Sequence, residues 1–277
     1  MTTSVRSPGY LDYAAAVDDL RAEYAAIPPG APVRLAKRTS NLFRPRNPTS
    51  TPGLDVSAFS GVLDVDAERR TADVLGMTTY EDLVAATLPH GLVPLCVPQL
   101  RTITLGGAVT GLGIESASWR NGSPHESVLD MDILTGDGRV VTASPTNEHR
   151  DLFSGFPNSY GSLGYALRLR IELEPVTPYV SLRHIACGDA TSLAETIAAV
   201  VRHGSYDGER FDYVDGTVFS RGESHLTLAT YAETADQPPS DYTGEHIYYR
   251  SIQERRTDVL TVHDYLWRWD TDWFWCS

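Results

Sequence analysis

The chain is short of cysteine, of positive charge and of long apolar runs, and each shortage closes off a class of protein. Its three cysteines, Cys96, Cys187 and Cys276, are scattered through 277 residues. An odd and widely spaced set offers no disulfide framework and no metal-binding pattern, and it suits a reducing cytoplasm. No stretch approaches the roughly 18 uninterrupted apolar residues of a transmembrane segment. The start, MTTSVRSPGYLDY, lacks the apolar core of a signal peptide. Lys and Arg total 23 against 36 Asp and Glu, a formal net charge of −13. That disfavours sequence-independent nucleic-acid binding, which needs a basic surface, and electrostatic docking on anionic lipid. It does not exclude an apolar lipid as a ligand. The standard phosphate-loop signatures are missing too: there is no G-x-G-x-x-G and no G-K-[ST].

What is present is one unusual stretch, Gln99 to Glu126. It holds Gly106, Gly107, Gly111, Gly113 and Gly122, interleaved with Thr102, Thr104, Thr110, Ser116, Ser118 and Ser123. Glycine admits positive φ and close backbone approach, and bare amides with hydroxyls can form an anion-binding concavity without lysine. The stretch therefore reads either as a segment wrapped around a pyrophosphate-containing cofactor or as a plain glycine-rich connection.

The rest of the chain is a mixed α/β pattern. Helical spacing predicts a helix over Tyr10 to Ile27, ended by Pro28-Pro29-Gly30. Val33 to Lys37 is a short strand, and Pro45 to Pro52 a loop. A hairpin follows over Gly61 to Gly76, then a helix opened by Thr78 and Glu81 at capping-box spacing and closed near Gly91. Leu92 to Val97 is a strand. Ser127 to Ser144 is a second hairpin, turned by Gly136-Asp137-Gly138. Tyr165, Leu167, Leu169, Ile171 and Leu173 alternate with charged residues in the next strand, and prolines 175 and 178 mark a boundary. Beyond it, Val180 to Cys187, Ser192 to His203, Tyr213 to Phe219 and His225 to Tyr231 read as β-α-β-β.

The order of signals from Gln99 to Leu173 resembles the FAD-binding domain of the p-cresol methylhydroxylase (PCMH) and vanillyl-alcohol oxidase flavoproteins. Pro98 to Ala108 is followed by Gly111-Leu112-Gly113-Ile114-Glu115-Ser116 and the Arg120-Asn121-Gly122 turn. The Leu134 to Val141 hairpin, Asp151-Leu152-Phe153 and Gly161 to Gly164 come next. Within that group, Gly111 to Ser116 looks like the dehydrocholesterol reductases, which reduce a sterol side-chain double bond. Val33 to Arg44 and Leu105 to His125 look like actinobacterial relatives that reduce a methylene branch on fatty acyl chains. The implied fold is α+β. A two-subdomain PCMH-type FAD-binding domain with an N-terminal helix spans 1–178, followed by the start of an α+β substrate domain over 179–277, cut short at its end.

The resemblance implies cofactor contacts by position. Gly106, Gly107, Ala108, Gly111, Gly113, Ile114, Ser116 and Ser118 would line the FAD pyrophosphate and ring edge. Gly122, His125, Glu126 and Val128 would continue along the cofactor, and Gly161, Ser162 and Gly164 would lie at its far side. Thr39, Ser40 and Asn41 fall where relatives carry a glycine-rich loop ending in His-Ser. No histidine stands there, so FAD is expected to be non-covalent, with Lys37 or Arg38 compensating for the missing glycines. The implied reaction is reduction of a lipid carbon–carbon double bond with NADPH, in a cytoplasmic protein with no transmembrane segment, in peripheral contact with the inner membrane face at most. Oxidation of an alcohol, lactone or sugar by oxygen stays open.

Four further features carry two readings each. Glu115 is either a turn cap or an acid with a raised pKa near the flavin. Tyr160 either packs on a cofactor ring or fills core. The aromatic run Tyr265 to Trp275 fits core or interface better than a lipid channel. Tyr160-Gly161-Ser162-Leu163-Gly164 imitates a nucleophile elbow, but no histidine spacing supports a triad.

Overall fold

Residues 8–36, 53–242 and 247–270 are described by the computed structural model. They build an α+β fold in two units. The first takes residues 1–94, 102–113 and 124–174; the second takes 95–101, 114–123 and 175–277.

The first unit opens with helix α1, Pro8–Ala25. Its buried face, Tyr13, Val17, Leu20 and Tyr24, packs on Leu54, Val56, Phe59, Leu134 and Leu167. Strands β1 (Leu35–Ala36) and β2 (Leu54–Asp55) pair in parallel. The β3 (Val62–Asp66) and β4 (Thr71–Leu75) hairpin stands where the alternating pattern expects it. Helix α2, Tyr80–Thr87, is capped one residue later than the sequence suggests: the Thr79 side chain accepts from the Asp82 amide. Thr78 is buried instead and exchanges hydrogen bonds with Gly61 at 2.9 Å. Gly91 takes the expected left-handed turn, φ 68°, before the short strand β5, Leu92–Pro94.

Helix α3 (Leu105–Thr110) lies inside the glycine-rich stretch. Helix α4 (Ser118–Asn121) belongs to the second unit. Strands β6 (Val128–Leu134) and β7 (Val140–Ala143) form the second hairpin, helix α5 (Arg150–Gly155) follows, and β8 (Tyr165–Pro175) completes a six-stranded sheet. Its order is β3-β4-β8-β6-β7, with β5 also on β8.

Leu167, Leu169, Ile171 and Leu173 of β8 are buried, as period-two alternation requires. On the other face Arg168 ties three strands together. It pairs with Asp73 on β4, with Asp130 at 2.6 Å and with Asp132 at 2.9 Å, both on β6. Burial alone would raise the Asp132 pKa, but hydrogen bonds and charge from Arg168 outweigh it and hold the carboxyl below its usual range. Tyr13 donates to Asp132 at 2.8 Å, so the same carboxylate anchors α1.

The second unit is an antiparallel sheet of four strands in the order β10-β11-β9-β12: β9 Tyr179–Ala186, β10 Tyr213–Ser220, β11 Glu223–Ala232 and β12 Thr257–Thr261. Helix α6, Ala190–His203, is capped by Asp189 and ended by Gly204 at φ 61°. Its Leu193 and Val200 pack on Phe211, Leu226 and Leu228. Helices α7 (Tyr248–Glu254) and α8 (Val262–Leu266) complete it. Tyr265, Trp267 and Trp269 are buried, so the described part of the aromatic run is core. No helix among the described residues is long and apolar enough to cross a membrane.

Candidate cofactor site

The sequence suggests open amides through the glycine-rich stretch, and the centre of it is a helix instead. Thr104 caps α3, its Oγ1 accepting from Gly107 at 3.2 Å. The Leu105 amide donates to Thr78 O and the Gly106 amide to Gly76 O, both at 2.9 Å. These donors are spent within the fold. Glycine at 106 is required by packing: a Cβ there would lie 2.7 Å from Gly76 O, and a Cβ on Gly76 would lie 2.0 Å from Ala166 O. Three backbones therefore stack without side chains between them. Glycine costs about 1 kcal/mol in a helix relative to alanine, and the close packing offsets it.

The open surface lies just beyond α3. Thr110 O accepts from the Tyr160 amide at 2.8 Å, and Val109 O from the Asn158 amide at 3.4 Å. These bonds lay loop 158–164 beside residues 109–113. The loop turns through positive φ at Asn158 (58°), Tyr160 (51°), Gly161 (83°) and Gly164 (132°). A pocket of about 260 Å³ forms here, lined by Gly106, Gly107, Thr110, Tyr160 and Gly161, with Leu35, Met77, Tyr165 and Ala166. No described residue accepts a hydrogen bond from the amides of Leu112, Gly113, Gly161 or Leu163. Amides without a partner among the described residues, that of Gly161 in the pocket wall and the others close to it in the chain, fit an anionic group, and the exposed Leu112, Tyr160 and Leu163 offer apolar surface for a ring. The residues present therefore fit a phosphate-bearing aromatic cofactor.

The expected site residues divide. Gly106, Gly107 and Gly161 line this pocket. Ala108 is buried in α3, and Gly111 and Gly113 carry the chain past it. Ser162 donates to Ser159 O at 2.7 Å, a turn bond that argues against a nucleophile role. Gly164 is fixed by packing as well as φ, since a Cβ there would meet Leu134 O at 2.3 Å. His125 and Glu126 lie in a tight turn, Pro124–Ser127, where His125 Nδ1 is buried without a partner among the described residues. Val128 is buried at the start of β6.

Ile114, Ser116, Ser118 and Gly122 belong to the second unit. Ile114 is 75% exposed. Ser118 Oγ accepts from the Glu115 amide at 2.9 Å, and Gly122 ends α4 at φ 74°. Lys37, Arg38, Thr39, Ser40 and Asn41 lie outside the described residues. Leu35, Met77 and Tyr165 carry no motif, and only the tertiary fold brings them to the pocket.

The second unit contains its own charged cluster. Arg268 is buried, pairs with Asp215 at 2.6 Å, lies 3.8 Å from the centre of the Tyr265 ring and reaches Ser116 Oγ at 3.4 Å. Glu115 Oε1 accepts from the Gln99 amide at 3.1 Å. Loss of solvent pushes the Glu115 carboxyl up to about 8; the Gln99 hydrogen bond opposes this, Asp215 adds to it, and Arg268 opposes it. Gln99 and Asp215 also line a pocket of about 440 Å³ whose other walls include Val218, Phe219, Tyr249 and Trp269. Its polar end and aromatic walls suit a small, mainly apolar molecule. No group of three or more His, Cys, Asp or Glu among the described residues is arranged to hold a metal ion.

Comparison with known proteins agrees with the cofactor fit. A family model described as an FAD binding domain matches residues 8–144. A delta(24)-sterol reductase of Pisum sativum is 29% identical over 184 residues, covering 65% of this chain and 32% of that protein. The Arabidopsis thaliana protein of the same name is 31% identical over 183 residues, with the same shares. Cytokinin dehydrogenase 2 of Oryza sativa subsp. japonica is 32% identical over 161 residues, 56% of this chain and 28% of that protein. The match thus spans about a third of the length of these relatives.

Proposed function

We propose that the chain, whose residues 8–144 match a family model described as an FAD binding domain, is part of an FAD-dependent oxidoreductase that reduces a carbon–carbon double bond of a lipid. The observation that carries this reading is the pocket bordered by α3 and loop 158–164, with Gly161 in its wall and Leu112, Gly113 and Leu163 close by in the chain, their four amides without a partner among the described residues. Those amides would hold the pyrophosphate. Bound non-covalently, FAD supplies hydride chemistry, with NADPH as its electron donor. The likeness to delta(24)-sterol reductases supports a sterol as substrate; a methylene-branched fatty acyl chain is the other lipid this reading admits.

Alkene reduction needs a proton at the carbon opposite the one that receives hydride. Glu115 is the chain's candidate donor. Its environment keeps it protonated near neutral pH, and Gln99, whose amide it binds, lines the apolar pocket of the second unit. A second reading rests on the cytokinin dehydrogenase relatives: oxidation of a small substrate by the flavin.

An anaerobic absorbance titration of the FAD-loaded protein with NADPH separates the two. Bleaching of the flavin bands by NADPH, reversed by an added lipid alkene, is the expected result. Bleaching by an alcohol, amine or sugar and not by NADPH would replace reduction with oxidation.

A further inference from the structure

Tyr160 stands in a conformation that its own chemistry disfavours, and it is largely exposed at the edge of a pocket. Its φ is 51°, a left-handed value that costs a β-carbon-bearing residue energy and that aromatic residues rarely adopt. Asn158, two residues earlier at φ 58°, belongs to a residue type that tolerates this region; tyrosine does not. The Tyr160 backbone is nevertheless fixed there, its amide bonded to Thr110 O at 2.8 Å. The strained backbone does not bury the residue, which is 67% exposed. It stands at the edge of the pocket that Gly106, Gly107 and Gly161 line, beside the free amides of Gly161 and Leu163. A backbone held in a strained conformation by its own hydrogen bond, with the aromatic side chain left largely exposed at a pocket edge, points to a contact outside the chain.

We propose that Tyr160 is a stacking platform: its ring, held in place by the left-handed backbone, packs on a planar heteroaromatic ring of the bound cofactor. The inference rests on the FAD reading above and adds a specificity-determining residue to it. Both the isoalloxazine and the adenine of FAD present such a face, and stacking on an aromatic side chain is a favourable contact for either. The free amides nearby serve the phosphates that join the two rings.

The test is an FAD titration of the full chain and of Tyr160→Phe, Tyr160→Asn and Tyr160→Gly, read by flavin absorbance and fluorescence, with thermal unfolding measured on the apo proteins. Asparagine and glycine both accept positive φ. The two variants are therefore expected to keep the apo unfolding temperature while weakening FAD binding on the order of ten-fold. Tyr160→Phe keeps the face and is expected to bind as the parent does. FMN and ADP titrations locate the partner: loss confined to FMN assigns the isoalloxazine, and loss confined to ADP assigns the adenine. Equal FAD affinity in the parent, Asn and Gly proteins would overturn the stacking role and leave the FAD reading intact. A Phe variant as weak as Asn would also overturn it, since the hydroxyl would then be the contact. A parent chain that binds no FAD would overturn the FAD reading, and the inference with it.

Discussion

Helix α3 and loop 158–164 are both glycine-marked, both border one pocket, and use their glycines for opposite ends. In α3, Gly106 is buried against Gly76, and its amide is spent on Gly76 O. In the loop, Gly161 has only an ordinary contact with Tyr165, a positive φ and a free amide. One glycine brings backbones together; the other turns the backbone outward. Glycine richness alone does not distinguish scaffold from ligand surface. The hydrogen-bond partners of the amides do.

Alanine substitutions should expose this difference as a graded series. The largest effect is expected at Gly76, where the new Cβ would lie 2.0 Å from Ala166 O, a backbone atom that cannot swing away. Gly76→Ala should destabilise by roughly 3 kcal/mol or more and should prevent folding if the first unit is marginal. Gly106→Ala meets Gly76 O at 2.7 Å and should cost about 1–3 kcal/mol, although alanine is the better helix former. Gly161→Ala has room for the methyl and pays only for φ 83°, about 1 kcal/mol. Chemical denaturation of the three variants gives the order. Equal costs at Gly106 and Gly161 would erase the distinction between packing and display.

Much of the scaffold is legible in the sequence because local chemistry fixes it. The hairpins over 62–75 and 128–143, the alternation of β8 and the β-α-β-β order of the second unit follow from period-two patterns and turn residues. At the start of α2 two adjacent threonines compete for the cap, and burial of Thr78 against Gly61 decides for Thr79. The site is only partly legible. Gly106, Gly107 and Gly161 were within reach of motif reading. Leu35, Met77 and Tyr165 reach the pocket through packing that no local pattern encodes. Helix α3 is not legible in the sequence because two glycines in six residues argue against a helix, and only the packing on Gly76, itself packed on Ala166, favours it.

The stretch after α3 offers the smallest and subtlest test, because there the chain uses a buried carboxyl rather than glycine. The Glu115 pKa is raised from 4.5 to about 8 in the folded protein. Between those values the unfolded chain releases a proton that the folded chain keeps, so this group's contribution to stability falls as pH rises through the window and levels off above about 8. His184 has the opposite sign. Burial lowers its pKa to about 4, so the stability it confers is lost as pH falls from its ordinary 6.5 toward 4. Glu115→Gln should therefore gain stability relative to the parent progressively as pH rises from 5 to 8 in thermal melts. Parallel curves would show that Glu115 is ionised like an ordinary surface carboxyl.

The most direct test of the central claim is amide hydrogen exchange of the full chain with and without saturating FAD. The account predicts new protection at residues 111–113 and 158–164, where the amides of Leu112, Gly113, Gly161 and Leu163 lack partners among the described residues, and little change within α3, whose amides are already bonded. FAD binding that protects other segments and leaves both loops unchanged would contradict it.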